Sequence, residues 1–424
     1  MLSSSIQSIS KLDLMQIPNR LEFRTGEIFL GNIKKIYPNQ TARVNIGNQM
    51  IIAKLEVPLV SGDSYWFQVL AKEGEILLKM LSPYSKEEQT NLPILKQLAL
   101  PNNSIYKELI SFIEKEQIPL TKENIEKAGH LIEKNTNLKE GLEAIKIMNQ
   151  KDFPLSESIY KSLFEALKPQ ISTQSLLHIL EGELQLEPKT QTVQSLLTAI
   201  QTLENTQLES NTKEPDFRQH VLTLLKGVTR NIGLFYEAEI LSYKESEVSI
   251  ENRIKPLLLK YIQEDPKSIE SKEVAEQLIN KWNGQQLLSA PTNPIQHLVY
   301  QLPLQLFGYQ TELSLQWSGK RLDDGKIDPN YCHVLFYLEL EHLKETIIDM
   351  KVQNRIVSIK IININEQLQA ISHSFIPKLK EGLKELNYFL SSVQFESSIN
   401  NTKMLQGSGS NSISNQYSGV DFRI

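Results

Sequence analysis

Between Tyr331 and Glu396 the hydrophobic period changes twice, and few folds accommodate such changes in so short a span. Two runs alternate like strands: YCHVLFYLEL (331–340) and KETIIDMKVQNRIVSIKIINI (344–364), the second broken near Gln353-Asn354. A helical run follows, EQLQAISHSFIPKLKEGLKELN (366–387), and an extended YFLSSVQFE (388–396) ends the stretch. Alternation gives a sheet one apolar face, and the helical period supplies an apolar stripe to lie on it. The β-β-α-β order therefore predicts a small sheet carrying one helix. Pro377 falls inside the helical run, so the packed helix is expected to begin near Phe375, with proline in its first turn. Upstream, QHLVYQLPLQLFG (296–308) and TELSLQWSGK (311–320) also alternate as strands.

Residues 21–82 read as β throughout. RTGEIFLGNIKKIYP, TARVNI, QMIIAKLE, SYWFQVLA and EILLKML are five short runs rich in Ile, Val and aromatics. Turn residues separate them: Pro38-Asn39, Gly47-Asn48, Ser61-Gly62-Asp63 and Glu73-Gly74. Five strands at this spacing predict a small closed barrel, since closure removes exposed edges. Lys34, Lys35, Arg43, Tyr65, Trp66 and Phe67 raise the idea of an oligonucleotide-binding barrel. Glu22, Glu27, Glu56, Asp63, Glu73 and Glu75 nearly cancel the positive charge, however. The three aromatics are consecutive, so alternation sends them to opposite faces and at least one must fill the core. A structural or protein-binding barrel is the expectation, with nucleic-acid binding as the alternative.

Residues 91–289 carry the helical period. IPLT (118–121) and FPLS (153–156) each precede an apolar-periodic run and lie 35 residues apart. Thr121 and Ser156 are natural N-caps, and Glu123 and Glu157 suit the positive end of each helix. Residues 217–243 read as one long amphipathic helix, weakened by Gly227 and Gly233, and 271–288 as the last helix. SAPTNP (289–294) breaks the pattern and marks a domain boundary. The chain thus predicts a multidomain α+β protein: a flexible leader (1–20), a five-stranded β-barrel (21–82), a helical domain (91–289), a C-terminal sheet-plus-helix domain (291–396) and a disordered tail (397–424). The tail closes on VDFRI (420–424), an alternating pentapeptide suited to strand addition at a sheet edge.

Chemistry is sparse. Seven histidines (His130, His178, His220, His297, His333, His342 and His373) include no helical pair and no metalloprotease frame. Cys332 is the single cysteine, which excludes an intrachain disulfide and a thiolate zinc cluster. Its neighbour His333 points to the opposite face of the strand, so the two cannot act as nucleophile and base. Asp323, Asp324 and Asp328 around Gly325 fail the calcium-loop pattern and read as a turn. No catalytic, cofactor or metal residue is assigned, and the chain reads as a non-enzyme. A net charge of −5 among 424 residues argues against a generic nucleic-acid or membrane-surface binder. No run reaches the roughly 20 apolar residues that span a bilayer.

The order and spacing of 331–396 resemble the C-terminal domain of the flagellar hook-length control protein family. In that family an alternating strand and a Pro-x-x-Leu-Gly-type turn lead into a β-hairpin, then a helix of Leu-x-x-Leu-x-x-x-Leu pattern closed by glycine before a last strand. Here LELEHLKETIIDMKV covers the strand and turn, with Leu343 at the leucine, and RIVSIKIINI returns the hairpin. Phe375, Leu379, Leu383 and Leu386 supply the helix's apolar face. Three positions depart from the pattern: Glu341-His342 replace the turn's proline, and Lys344 and Asn387 stand where glycine is usual. Asparagine tolerates a left-handed helix cap. The barrel and helical middle look like uncharacterised low-GC Gram-positive proteins carrying this module. The resemblance implies a cytoplasmic interaction protein that binds the export-switch membrane component of a type III apparatus, or a soluble paralogue, with passage through that apparatus open. Family rulers have long disordered N-terminal regions, whereas folded domains are expected here.

Overall fold

The structure, a computed structural model, describes residues 24–397 apart from 39, 48, 73–74, 85–91, 136, 169–171, 209–216, 242–249 and 292–294. The leader expected over 1–20 and the tail expected beyond Ser397 lie outside the described residues. The chain divides into two compact units, Met1–Leu203 with Thr229–Thr292, and Glu204–Val228 with Asn293–Ile424.

In the first unit, β1 (Glu27–Ile36), β2 (Thr41–Ile46), β3 (Gln49–Leu55), β4 (Ser64–Lys72) and β5 (Glu75–Tyr84) pair in the order β2-β3-β5-β4-β1. Because β1 also pairs with β2, the ring closes as β1-β2-β3-β5-β4 and back to β1. All its pairs are antiparallel except β3 with β5. This is the five-stranded Greek-key barrel of the oligonucleotide/oligosaccharide-binding type. Phe29, Ile33, Val44, Phe67 and Leu78 fill its interior. Gly31 is required where β1 crosses that interior: a Cβ there would stand 2.7 Å from Val44 Cγ1 and 3.1 Å from the Phe67 ring. Gly47, at φ 56°, makes the two-residue β2–β3 hairpin that Gly47-Asn48 predicts.

The helical part runs α1 (Leu92–Gln97), α2 (Ser104–Glu116), α3 (Lys122–Glu133), α4 (Leu138–Gln150), α5 (Glu157–Leu167), α6 (Thr173–Leu186), α7 (Gln191–Glu204), α8 (Phe217–Ile232), α9 (Tyr236–Leu241), α10 (Ile254–Gln263) and α11 (Ile269–Leu288). It is continuous with the barrel. The short strand β6 (Leu120–Thr121) pairs with β1 through Glu27 and Ile28, and the Tyr84 hydroxyl donates to the Glu114 carboxylate of α2. Thr121 and Ser156 cap α3 and α5 as their chemistry predicts, accepting from the N–H groups of Asn124 and Ile159. The single helix expected over 217–243 is two. Gly233 turns left-handed at φ 79°, and the Leu234 N–H reaches back to the Thr229 carbonyl, which closes α8. Helix α11 packs tightest on α5, where a Cβ on Gly284 would lie 2.1 Å from the Ser162 carbonyl oxygen.

The second unit is a seven-stranded sheet of order β13-β12-β11-β10-β9-β8-β7. Its strands are β7 (Gln207–Leu208), β8 (Ile295–Leu306), β9 (Tyr309–Arg321), β10 (Ile327–Leu340), β11 (Lys344–Gln353), β12 (Ile356–Asn363) and β13 (Phe389–Ser397). Strands β8 to β12 form an antiparallel meander. The chain then crosses through α12 (Leu368–Ser372) and α13 (Ile376–Glu385), and β13 returns parallel to β12. Phe375 precedes α13 and Pro377 sits in its first turn, matching the sequence expectation. Register puts Leu313, Leu315 and Trp317, then Val334 and Phe336, then Ile348, Met350 and Val352, then Val357, Ile359 and Ile361 on one face. That face meets Leu383 and Tyr388 from the crossover. The other face carries His333, Asp349, Lys351 and Lys360.

The fold is multidomain α+β, with a barrel, a helical middle and a C-terminal sheet with helices. The barrel groups with the helices outside 204–228, and residues 204–228 group with the C-terminal sheet, where β7 pairs in parallel with β8 through Gln207 and Leu208.

Candidate interaction surfaces

On β1, β2 and β3 the residues that alternate with the core point outward and align across strands. Lys35 stands opposite Arg43, and Arg43 opposite Ile52. Asn32, Asn45 and Met50 form the next row, and Thr41 faces Lys54. A register shift between Ile33 and Lys35 exposes both Lys34 and Lys35. Met50 and Ile52 are 65% and 62% exposed, so this face is open. The Lys35 ammonium sits 5.4 Å from the centre of the half-exposed Tyr37 ring. The surface combines four cations, amides, an aromatic ring and apolar side chains.

Of the six carboxylates that cancel this charge in the sequence, Glu27 lies away from the face. Glu27 is at the far end of β1, half-buried, and accepts from the Arg24 N–H at 2.8 Å. Its pKa is raised by burial, against the pull of that hydrogen bond. Asp63 lies beside the Tyr65 hydroxyl in the β3–β4 connection. Glu56, one step past β3, adjoins the face; Glu22 and Glu73 lie outside the described residues. Of the six residues that suggest nucleic-acid binding in the sequence, Lys34, Lys35 and Arg43 are exposed, while Tyr65, Trp66 and Phe67 are all buried. The aromatic triplet is therefore not a stacking platform: Tyr65 and Phe67 fill the barrel, and Trp66 is covered from outside it. Tyr37 is the ring the sequence reading missed. Its alternation with Lys35 across the end of β1 is the signal that could have found it.

In the second unit the connections are the informative geometry. Leu340 pairs with Lys344, so Glu341-His342-Leu343 form a three-residue hairpin loop, with Lys344 left-handed at φ 56°. That is the bulge position such loops normally give to glycine. Between β11 and β12, Asn354 and Arg355 both take positive φ (49° and 64°), the two-residue turn that matches strand twist. Arg355 is held there by the Tyr388 ring, 5.2 Å from its guanidinium, and its carbonyl accepts from the Phe389 N–H. Asn387 closes the crossover at φ 61°. Around α13, Ile371, Phe375, Leu379 and Leu386 are 40–59% exposed.

Cys332 and His333 fall on opposite faces of β10. Cys332 lies half-buried on the apolar face, its thiol pushed up by burial. His333, on the other face, places Nε2 2.7 Å from Asp349 Oδ1. Burial pushes the Asp349 carboxyl up, but the His333 hydrogen bond and the charges of His333, Lys351 and Lys360 outweigh it and hold the group below its ordinary value. Asp324 and Asp328 accept from the N–H groups of Lys326 and Asn330, and Gly325 at φ 83° completes the β9–β10 turn. Among the described residues no three of His, Cys, Asp and Glu gather into a metal-holding group. No described helix is long and apolar enough to cross a membrane.

Residues 5–79 match the TP0910 S1-like domain family, a region that takes in the barrel through the first half of β5. A stretch of 122 residues, 29% of this chain, is 37% identical to "Uncharacterized protein YlqG" of Bacillus subtilis (strain 168). The match spans 21% of the length of that relative.

Proposed function

We propose that this is a non-enzymatic interaction protein whose C-terminal unit acts as hook-length control domains do. That unit would dock on the cytoplasmic part of a type III export-switch component or a soluble paralogue of one. The observation that carries the reading is the backbone at Lys344 and Asn387. Both residues occupy positions where the resembled family has glycine, and both have left-handed φ, 56° and 61°. A left-handed residue with a Cβ costs about 1–2 kcal/mol, so the backbone asks for glycine where the family supplies it. The three-residue tip next to Lys344 exposes Glu341 and His342 and leaves Leu343 half-buried. The test is co-elution of the full chain with the cytoplasmic domain of the export-switch protein, repeated with Leu343→Asp. Co-elution lost in the variant supports the reading; separate elution of the unaltered chain overturns it.

A second reading is favoured by the barrel. Its β1–β3 face sets Lys35, Arg43 and Lys54 among Asn32, Asn45, Tyr37 and Ile52, and strands β2–β3 are the ligand-binding face of this barrel type. The similarity to an S1-like domain agrees with it. The barrel would then bind a single-stranded nucleic acid, with cations on the backbone and Tyr37 stacked on a base. Binding of a labelled oligonucleotide that weakens steeply with salt, and is lost in Arg43→Glu, is expected; absence of salt-dependent binding ends this reading.

A further inference from the structure

The two echoed segments of the sequence, IPLT (118–121) and FPLS (153–156), meet at one cavity of about 360 Å³ in the first unit. That volume falls within the roughly 300–1,000 Å³ of small-molecule sites. Leu120 from the first segment and Met148 near the end of α4 are buried and give the cavity an apolar floor. Phe153 and Leu155 from the second are half-buried walls, with exposed Pro154 at the lip. The wall is fixed in place. The Phe153 N–H donates to the Met148 carbonyl at 2.8 Å, and the Lys151 ammonium to the Ala290 carbonyl at 2.8 Å. Pro154 locks its own φ and restricts Phe153 before it. The rim carries both signs of charge. Asp152 turns left-handed just past α4, at φ 55°, and its Oδ1 meets Arg24 Nη2 at 2.9 Å. Lys127 of α3 adds a second cation, paired with Glu123 at 2.7 Å, and Asn124 and Asn149 add amides. Glu27 adjoins through the Arg24 backbone N–H and leaves the guanidinium to Asp152.

We infer that this cavity binds a free α-amino acid with an apolar side chain. The lining asks for three things in one small ligand: an apolar body, an anionic group and a cationic group beside it. An amino-acid zwitterion has all three. Its side chain would lie on Leu120, Met148 and Phe153, its carboxylate would meet Arg24 and Lys127, and its ammonium would meet Asp152. The rim has the capacity. Arg24 and Asp152 are 67% and 68% exposed, and their contact uses one guanidinium nitrogen and one carboxylate oxygen. The second oxygen and the other guanidinium N–H groups are left for a ligand. Exposed ion pairs such as Arg24–Asp152 and Lys127–Glu123 are weakly held, so turning them toward a ligand that restores both charges costs little. A purely apolar ligand would leave the rim charges unanswered. A plain carboxylate would meet Asp152, and a plain amine would meet Arg24 and Lys127. This inference stands apart from the export-switch and nucleic-acid readings, since it uses neither the C-terminal unit nor the β1–β3 face.

The test is calorimetric titration of the full chain with L-leucine, L-methionine and L-phenylalanine, and with N-acetyl-L-leucine, L-leucinamide and glycine. Saturable binding of leucine is expected. Each of the last three, which lack the ammonium, the carboxylate and the apolar side chain in turn, should bind at least tenfold more weakly. Asp152→Asn keeps a residue that tolerates left-handed φ, and Arg24→Gln keeps an exposed polar one. Each variant should bind leucine at least tenfold more weakly while its unfolding temperature without ligand stays unchanged. In Asp152→Asn, leucine should also lose its advantage over N-acetyl-L-leucine. Failure of the unaltered chain to bind leucine, methionine or phenylalanine saturably overturns the inference. So does glycine binding as tightly as leucine, and so does leucine binding that either variant leaves intact.

Discussion

Replacing Lys344 by glycine should stabilise the C-terminal unit. The residue sits at φ 56° in the β10–β11 loop, its side chain is exposed, and it makes no ion pair among the described residues. Relief of a left-handed Cβ is worth about 1–2 kcal/mol. Glycine gives back about 0.5–1 kcal/mol through the freedom it gains in the unfolded chain. The net gain is about 0.5–1 kcal/mol, which slows exchange through opening of the unit roughly two- to fivefold. Native-state hydrogen exchange of the β11 amides measures this in the full chain, without interference from the other unit. Lys344→Val, with a branched Cβ in the same backbone, should exchange faster than the unaltered protein. Asn387→Gly should change little, since asparagine already tolerates its φ of 61°. Faster exchange in Lys344→Gly, or no difference between the glycine and valine variants, would refute the claim that this loop demands a glycine-like backbone.

Gly284→Ala should destabilise the first unit by about 3 kcal/mol or more, because the new methyl meets the Ser162 carbonyl at 2.1 Å and Ala166 Cβ at 2.6 Å; thermal unfolding reads the loss. If the barrel binds single-stranded nucleic acid, Lys35→Glu and Arg43→Glu should each weaken binding and lower the salt slope by about 0.7 per phosphate contact removed. Fluorescence titration at several salt concentrations checks both. Lys151, whose ammonium donates to the Ala290 carbonyl at 2.8 Å, has its pKa lowered by burial to about 8. Its folded pKa lies below its unfolded value, so the unfolded chain holds the extra proton and stability should rise with pH above 8. Lys151→Met should flatten that rise between pH 8 and 10 in urea titrations.

The elements legible in the sequence are those whose signal is local. The five barrel runs, the Gly47 hairpin, the caps at Thr121 and Ser156 and the start of α13 near Pro377 each follow from neighbouring residues. Asn387 as a left-handed cap was legible for the same reason. Features that depend on distant partners were not. Gln207 and Leu208 are too few to show a period, and only their pairing with Gln305 and Leu306 makes them a strand. Gly227 stays helical while Gly233 ends its helix, and the neighbours that crowd Gly233 are Pro256 and Arg253, some twenty residues onward. On the barrel, summed charge concealed the open face. Register and a strand irregularity bring Lys35, Arg43 and Ile52 into one row, while Glu27 stands at the far end of β1 and burial takes Tyr65, Trp66 and Phe67 out of contention.

The central claim is that the C-terminal unit recognises an export-switch protein. Calorimetric titration of the full chain with the cytoplasmic domain of that protein from the same organism tests it most directly, with Leu343→Asp as the comparison. Saturable binding at micromolar concentration or tighter, lost in the variant, is the predicted result. No heat and no saturation with a fully folded chain would contradict the account.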